Sequence, residues 1–208
     1  MRTVRSLPRH AVASIIALAH EGANPQSTTQ PNGDCAGPWG GLDSPRKTMT
    51  MAIAEGSAVP EAGGVIWADG PKPTTLAELF AGKKSILFGV PGAFTPTCSN
   101  LHLPSFNDKA QLDAKGIDQV VCMATNDIFV MQAWNESAGT EHITMLADGN
   151  GDVTRALDLG LDASGFGLGF RCMRFAAVID DGVITALNLE EEPGACELTT
   201  ASGILERV

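Results

Sequence analysis

Cys98 closes the stretch Gly89-Val90-Pro91-Gly92-Ala93-Phe94-Thr95-Pro96-Thr97-Cys98, a Gly- and Pro-rich corner between an apolar run and a helical pattern. Open α/β sheets place their sites at that edge. In the first turn of a helix a cysteine meets unpaired backbone N–H groups and the positive end of the dipole. Both favour the thiolate, which is the reactive form. Thr95, three residues earlier, can offer its hydroxyl to the sulfur or to an oxygen bound beside it, and Pro91 and Pro96 stiffen the corner and restrict access to it. A thiolate held this way suits attack on a peroxide. The sulfur takes one oxygen and becomes a sulfenic acid, and the other leaves as water or an alcohol. Donors fixed around both oxygens would stabilise the moving charge. The competing reading is an inert, buried thiol at a strand–helix junction.

Few other residues offer chemistry. Only nine Lys or Arg follow residue 50, and two of them, Arg171 and Arg174, flank the start of a late strand. A guanidinium brought near Cys98 would favour the thiolate and donate to peroxide oxygens without acting as a base. Alternatively, both arginines only balance an acidic surface. Cys122, Cys172 and Cys196 follow Cys98, and Cys35 precedes it in a linker-like stretch with no catalytic role expected. Asn100 and Leu101 stand where a CxxC partner would be, which argues against a disulfide reductase of the thioredoxin kind. The five cysteines form no metal-ligand pattern. His102, one turn after Cys98, shares its helix face and reads as hydrogen-bonding support.

The elements that must position these residues follow from periodicity. Val65-Ile66-Trp67 suggests a short strand or hairpin before the turn Asp69-Gly70-Pro71, and residues 75–80 read as a helical turn ended by Gly82. Residues 85–90 (SILFGV) form a continuous apolar run of buried-strand type. A long helix is expected from about Cys98 to Lys115, with Leu103, Phe106 and Ala110 on one face. Strands follow at 120–124 and 143–147 around a helix at 128–137 whose buried stripe is Phe129, Val130, Ala133 and Trp134. A short helix near 153–157 leads into a Gly-rich loop, LDASGFGLGF. A hairpin follows over 175–187 with Asp181-Gly182 at its turn, and a last helix is capped by Thr199 or Thr200. Alternating strands and helices followed by a hairpin imply an α/β fold with a mixed central sheet flanked by helices, the layout of a thioredoxin-like domain.

The chain has 208 residues, enough for one well-filled core, and carries 14 Lys and Arg against 24 Asp and Glu, a net charge of -10. That balance argues against broad binding to nucleic acid or to anionic membranes. Charge is unevenly spread. Residues 1–50 hold five basic groups (Arg2, Arg5, Arg9, Arg46, Lys47) and three acids (Glu21, Asp34, Asp43). Two parts are expected: residues 1–50 as a basic extension and flexible linker, and residues 51–208 as the folded domain. The opening MRTVRSLPRHAVASIIALAHEG fits an organelle transit peptide, with an unaddressed tail or an upstream start codon ahead of Met49 or Met51 as the alternatives. No stretch is long and apolar enough to span a bilayer.

Pro91-x-x-x-Thr95-x-x-Cys98 within GVPGAFTPTCS resembles the active-site signature of the peroxiredoxins, and its surroundings resemble the type II or peroxiredoxin-5-like group. Further matches are HLPSF from His102 to Phe106, ATND from Ala124 to Asp127, LADGNG from Leu146 to Gly151, and RFAAVIDDGVITALNLEE from Arg174 to Glu191. The resemblance covers roughly residues 55–208. It implies a thioredoxin fold and a thiol peroxidase acting on hydrogen peroxide and organic hydroperoxides, without a cofactor or metal. By the same resemblance Cys98 is the peroxidatic cysteine, Thr95 and Pro91 belong to its signature, and Arg174 is the active-site arginine.

The sulfenic acid must then be reduced. The resemblance allows an external thiol, with glutathione and glutaredoxin favoured over thioredoxin, or a resolving cysteine at Cys122 or Cys196; Cys172 is a weaker candidate. Cys122 also reads as plain core packing, and its reaching Cys98 would require unwinding of the site helix. A homodimer formed through loops near the site is implied, with Phe94, Phe166 and Phe170 as contributors. The compartment is expected to be the cytoplasm or, if the extension is a transit peptide, a mitochondrion or plastid. Two other functions stay open. One is a non-catalytic thioredoxin-fold binding, chaperone or redox-sensor module, which would tolerate loss of Cys98. The other is a glutathione-linked transferase or reductase, which would turn over a disulfide without peroxide.

Overall fold

The structure, a computed structural model, describes residues 53–192 and 194–208. The expected extension, its transit-peptide reading and Cys35 lie outside the described residues. The chain runs β1 (Gly63–Trp67), β2 (Pro71–Thr75), α1 (Leu76–Phe80), β3 (Lys84–Gly89), a π-helical turn (Cys98–His102) continuing into α2 (Leu103–Ser105), α3 (Lys109–Ala114) and β4 (Gln119–Ala124). It continues through α4 (Ile128–Ala138), β5 (Ile143–Ala147), α5 (Asp152–Ala156), β6 (Gly160–Asp162), a 3-10 turn (Ser164–Phe166), β7 (Phe170–Cys172), β8 (Phe175–Asp180), β9 (Val183–Leu189) and α6 (Ala201–Leu205).

Seven strands form one mixed sheet in the order β2-β1-β5-β4-β3-β8-β9. Its centre, β5-β4-β3, is parallel, and the flanking pairs are antiparallel. The fold is the mixed, helix-flanked α/β layout expected from the sequence. Burial on both faces explains the unbroken apolar run of β3. Ile86 and Phe88 join one core with Phe106, Met131, Trp134 and Ile204, while Leu87 between them joins the other with Leu76, Phe80, Val121 and Phe175. Phe88 stacks on Phe106 at 4.3 Å between ring centroids, which ties the central strand to the segment after the site helix.

Helix starts follow local chemistry. Thr75 and Glu78 make a reciprocal capping box on α1, the Asp127 carboxylate accepts from the N–H groups of Phe129 and Val130 at α4, and the Thr200 hydroxyl accepts from Gly203 N–H at α6.

Three expectations are corrected. The single helix over 98–115 is broken at Phe106–Asp108, so Ala110 is exposed while Leu103 and Phe106 are buried. Phe106 and Asn107 N–H turn back to Leu103 O and Pro104 O and end the helix, and Asp108 then caps α3 afresh through Gln111 N–H. In α4 the buried face is Ile128, Met131, Trp134 and Asn135, with Ile128, Met131 and Trp134 packed into the core; Phe129 and Ala133 face outward. The Gly-rich stretch is not a plain loop. β6 and β7 pair as a small antiparallel ribbon with the register Leu161↔Arg171, turned over by the 3-10 segment between them.

Candidate active site

Two parallel strands end side by side and hand their loops to one corner. Val90 N–H still donates to Met123 O at 3.0 Å, holding β3 to β4, after which Pro91 takes the chain out of the sheet. The loop after β4 then clamps the corner. Asn126 Oδ1 accepts from Ala93 N–H at 2.9 Å and from Arg171 Nη1 at 3.4 Å, and Arg171 Nε donates to Leu168 O at 2.8 Å. Arg171 thus joins the ribbon to the corner. Phe94 adopts a left-handed backbone (φ 61°), an uncommon conformation for a bulky residue, and its side chain is left exposed. Thr95 donates its hydroxyl to Gly92 O at 2.9 Å rather than to sulfur, and keeps lone pairs to accept with.

The helix that follows is wider than an α-helix where it matters. Leu103 N–H bonds to Cys98 O, an i→i+5 link. Pro104, which has no N–H to give the Asn100 carbonyl, suits a locally widened turn there. Cys98 and His102, four residues apart, both face inward and are 1% and 0% exposed. Trp134 of α4 donates to Ser99 Oγ at 3.1 Å and steadies the outer side of the turn.

Arg174 arrives just ahead of β8, the antiparallel neighbour of β3. Phe175 of β8 pairs with Gly89, the last residue of β3, so the residue before it stands beside the point where β3 turns into the corner. Its guanidinium is buried and forks. Nη2 donates to Cys98 Sγ at 3.5 Å, and Nη1 donates to His102 Nδ1 at 3.1 Å. The other imidazole nitrogen, Nε2, carries the proton and donates to Thr199 O at 2.8 Å. Burial first, and the neighbouring Arg174 charge second, hold the His102 pKa down to about 3, so the ring is neutral and able to accept. Cys98, Arg174 and His102 are therefore brought together, and Pro91 and Thr95 adjoin them. A pocket of about 230 Å³ is lined by Pro91, Thr95, Arg174, Leu161, Ala163 and Phe166 among others, so the ribbon walls the approach to the arginine.

The other thiols divide by position. Cys122 lies in β4 opposite Phe88 and is fully buried; burial, then the nearby sulfurs of Cys98 and Cys172, push its pKa well up. Cys172 is also fully buried, and burial drives its pKa up despite a hydrogen bond from Thr154. Cys196 is half-buried. Burial raises its pKa, while the Arg174 charge and the Thr199 hydroxyl pull the other way, which puts this thiol within electrostatic reach of the site. All four described cysteines are free.

Asn126 and Glu190 carry weight that residue-level reading of the sequence did not give them. Asn126 belongs to the ATND stretch, which by itself assigns it no individual role. Glu190 opens the run Glu190-Glu191-Glu192, which reads as solvated charge, yet it is 6% exposed.

Residues 54–205 match the family model described as Redoxin. A rice (Oryza sativa subsp. japonica) protein named peroxiredoxin-2E-2, chloroplastic, is 48% identical over 167 residues, covering 76% of this chain and 74% of its own. The structure of reduced Prx3 in complex with H2O2 from Vibrio vulnificus is 47% identical with a TM-score of 0.70, covering 74% of this chain and 98% of that one. Peroxiredoxin 5 from Alvinella pompejana is 35% identical with a TM-score of 0.65, covering 74% and 97%. The sheet order, the cysteine at the strand–helix corner and these matches lead to one conclusion: this chain belongs to the peroxiredoxins, in the type II or peroxiredoxin-5-like group of the Redoxin family.

Proposed function

We propose that the protein is a thiol peroxidase in which Cys98 is the peroxidatic residue and Arg174, Thr95 and Pro91 complete its site. The observation that carries the reading is the Arg174 Nη2 to Cys98 Sγ contact of 3.5 Å. Sulfur attacks one oxygen of a hydroperoxide as its thiolate, the O–O bond breaks, and its electron pair leaves on the other oxygen, which takes a proton to become water or an alcohol. The Arg174 guanidinium meets the negative charge as it moves from sulfur to the leaving oxygen. Thr95, with its hydrogen already given to Gly92 O, is placed to accept a hydrogen bond from the incoming peroxide. Hydrogen peroxide and organic hydroperoxides are the proposed substrates; the apolar residues lining the 230 Å³ pocket leave room for an organic group.

For reduction of the sulfenic acid we favour an external thiol, glutathione with glutaredoxin. Cys122 faces the core from the middle of the sheet, and bringing it to Cys98 would require the π-helical turn to unwind. A second reading is supported by Cys196, half-buried within electrostatic reach of Cys98 and Arg174: it would resolve within the chain, with thioredoxin as the reductant. A homodimer is proposed through the exposed Phe94, Phe166 and Phe170. Residues 1–50 are proposed as a separate basic extension that directs import into an organelle. The relative named chloroplastic supports that reading.

The test is peroxide turnover by purified protein supplied separately with glutathione plus glutaredoxin and with thioredoxin plus its reductase, repeated on Cys122→Ser and Cys196→Ser. Full rate with glutaredoxin in both variants supports the external route. Loss in Cys196→Ser alone establishes the intrachain route. Absence of peroxide consumption in the wild type, with either reductant, would favour the non-catalytic module over the peroxidase.

A further inference from the structure

Behind the Cys98–Arg174–His102 group lies a buried carboxylate with no assigned part in the reaction. Glu190 follows β9, and its backbone N–H donates to Arg174 O at 3.1 Å, so it is anchored to the residue that carries the guanidinium. Its side chain turns back under the segment that follows. One carboxylate oxygen, Oε1, accepts from Glu197 N–H at 2.7 Å, Thr199 N–H at 3.0 Å and the Thr199 hydroxyl at 3.0 Å. The Thr199 carbonyl is the group that receives the His102 Nε2 proton. Fixing Thr199 fixes the imidazole tautomer, and that leaves Nδ1 bare to receive Arg174 Nη1.

We propose that Glu190 is a positioning residue for the reaction at Cys98: by gathering Glu197 and Thr199 onto one oxygen it sets the Thr199 carbonyl, which sets His102, which orients Arg174 on the sulfur. The proposal rests on the peroxidase reading and goes beyond it. A carboxylate buried to this degree needs a compensating set of donors, and the set found here belongs to the segment that closes over His102. Burial pushes the Glu190 pKa up, but the hydrogen bonds from Thr199 and Glu197 more than offset this and hold it below the ordinary value. The work Glu190 does in this chain is geometric. It needs an acceptor at the correct reach, and the charge itself is secondary.

That distinction makes the idea testable with three variants of the full chain. Glu190→Gln keeps an oxygen at the same reach, Glu190→Asp keeps the charge and withdraws the oxygen, and Glu190→Ala removes both. The readouts are the second-order rate of Cys98 oxidation by hydrogen peroxide and the 15N shifts of the His102 ring, with circular dichroism to confirm the fold. The expected pattern is that Glu190→Gln keeps the wild-type order of magnitude, while Glu190→Asp and Glu190→Ala lose roughly 10- to 100-fold, the cost of a misplaced catalytic group. The two losing variants are also expected to lose the single Nε2-protonated tautomer that the wild type shows. In a His102→Ala background the further cost of Glu190→Asp should nearly vanish, since both substitutions cut one chain. Wild-type rates in Glu190→Asp, a Glu190→Gln variant as slow as Glu190→Ala, or equal costs in both backgrounds would each overturn the proposal. A wild type inert to peroxide would sink the peroxidase reading, and the His102 tautomer in Glu190→Asp would still decide whether Glu190 sets the ring.

Discussion

His102 and Arg174, 72 residues apart in sequence, meet through one hydrogen bond of 3.1 Å in which the imidazole is the acceptor. An acceptor imidazole cannot be protonated, and the buried ring beside a guanidinium is held neutral down to about pH 3. In an unfolded chain the same ring would titrate near its ordinary value of 6.5. Between those two values the unfolded state binds a proton that the folded state refuses, so stability rises with pH across the window. It is fully present above about 6.5 and is lost as pH falls toward 3. The slope is about 1.4 kcal/mol per pH unit at most. Glu190, with its lowered pKa, adds its own loss only in the carboxylate range, at the acid end of that window and below it. Urea unfolding should show wild-type stability falling as pH is lowered from 6.5 to 5, and a flatter profile in His102→Gln. A flat wild-type profile would mean that His102 is not kept neutral.

Arg174 serves two acceptors with two nitrogens of one planar group. A lysine keeps the charge but offers a point donor on a flexible stem. Arg174→Lys should therefore behave almost as poorly as Arg174→Ala, each losing roughly 100- to 1,000-fold in the rate of sulfenic acid formation. Stopped-flow oxidation with hydrogen peroxide measures it. A lysine variant close to the wild type would show that charge alone suffices.

Gly89 ends β3 where the site begins, and it has no room for a side chain. A Cβ there would press into the Phe175 ring, inside van der Waals contact of two of its carbons, and would sit 3.0 Å from Cys172 Sγ. Phe175 is fully buried and adjoins Arg174, so it has nowhere to move without disturbing the arginine. Gly89→Ala should cost about 1–3 kcal/mol, the usual cost of overpacking a core. Thermal unfolding reads this as a lowered Tm, and peroxide reactivity should fall with it. An unchanged Tm would contradict the packing described at the end of β3.

Much of this architecture is legible in the residues themselves. The SILFGV run gives a strand covered on both faces, and Asp181-Gly182 marks the β8–β9 turn, because each signal is local. The corner before Cys98 is legible for the same reason: strand, proline, threonine and helix start lie within a few residues. The helix phase at α4 is not. Phe129 and Trp134 both look like core, and only tertiary packing decides that Trp134 goes in while Phe129 stays out. The ribbon formed by β6 and β7 hides in a Gly-rich stretch whose three-residue strands carry no period. Glu190 is illegible for a deeper reason. A carboxylate in an acidic run looks solvated, and its three donors come from residues seven and nine positions later, through a turn that leaves no composition signal.

The most direct test of the central claim treats the purified chain with one equivalent of hydrogen peroxide in the presence of dimedone, which captures sulfenic acid, and locates the label by peptide mass spectrometry. The expected result is a single labelled residue, Cys98, with label lost in Cys98→Ser and strongly reduced in Arg174→Ala. Peroxide left unconsumed, or a label on Cys122, Cys172 or Cys196 while Cys98 remains a thiol, would contradict the assignment of the reaction to this corner.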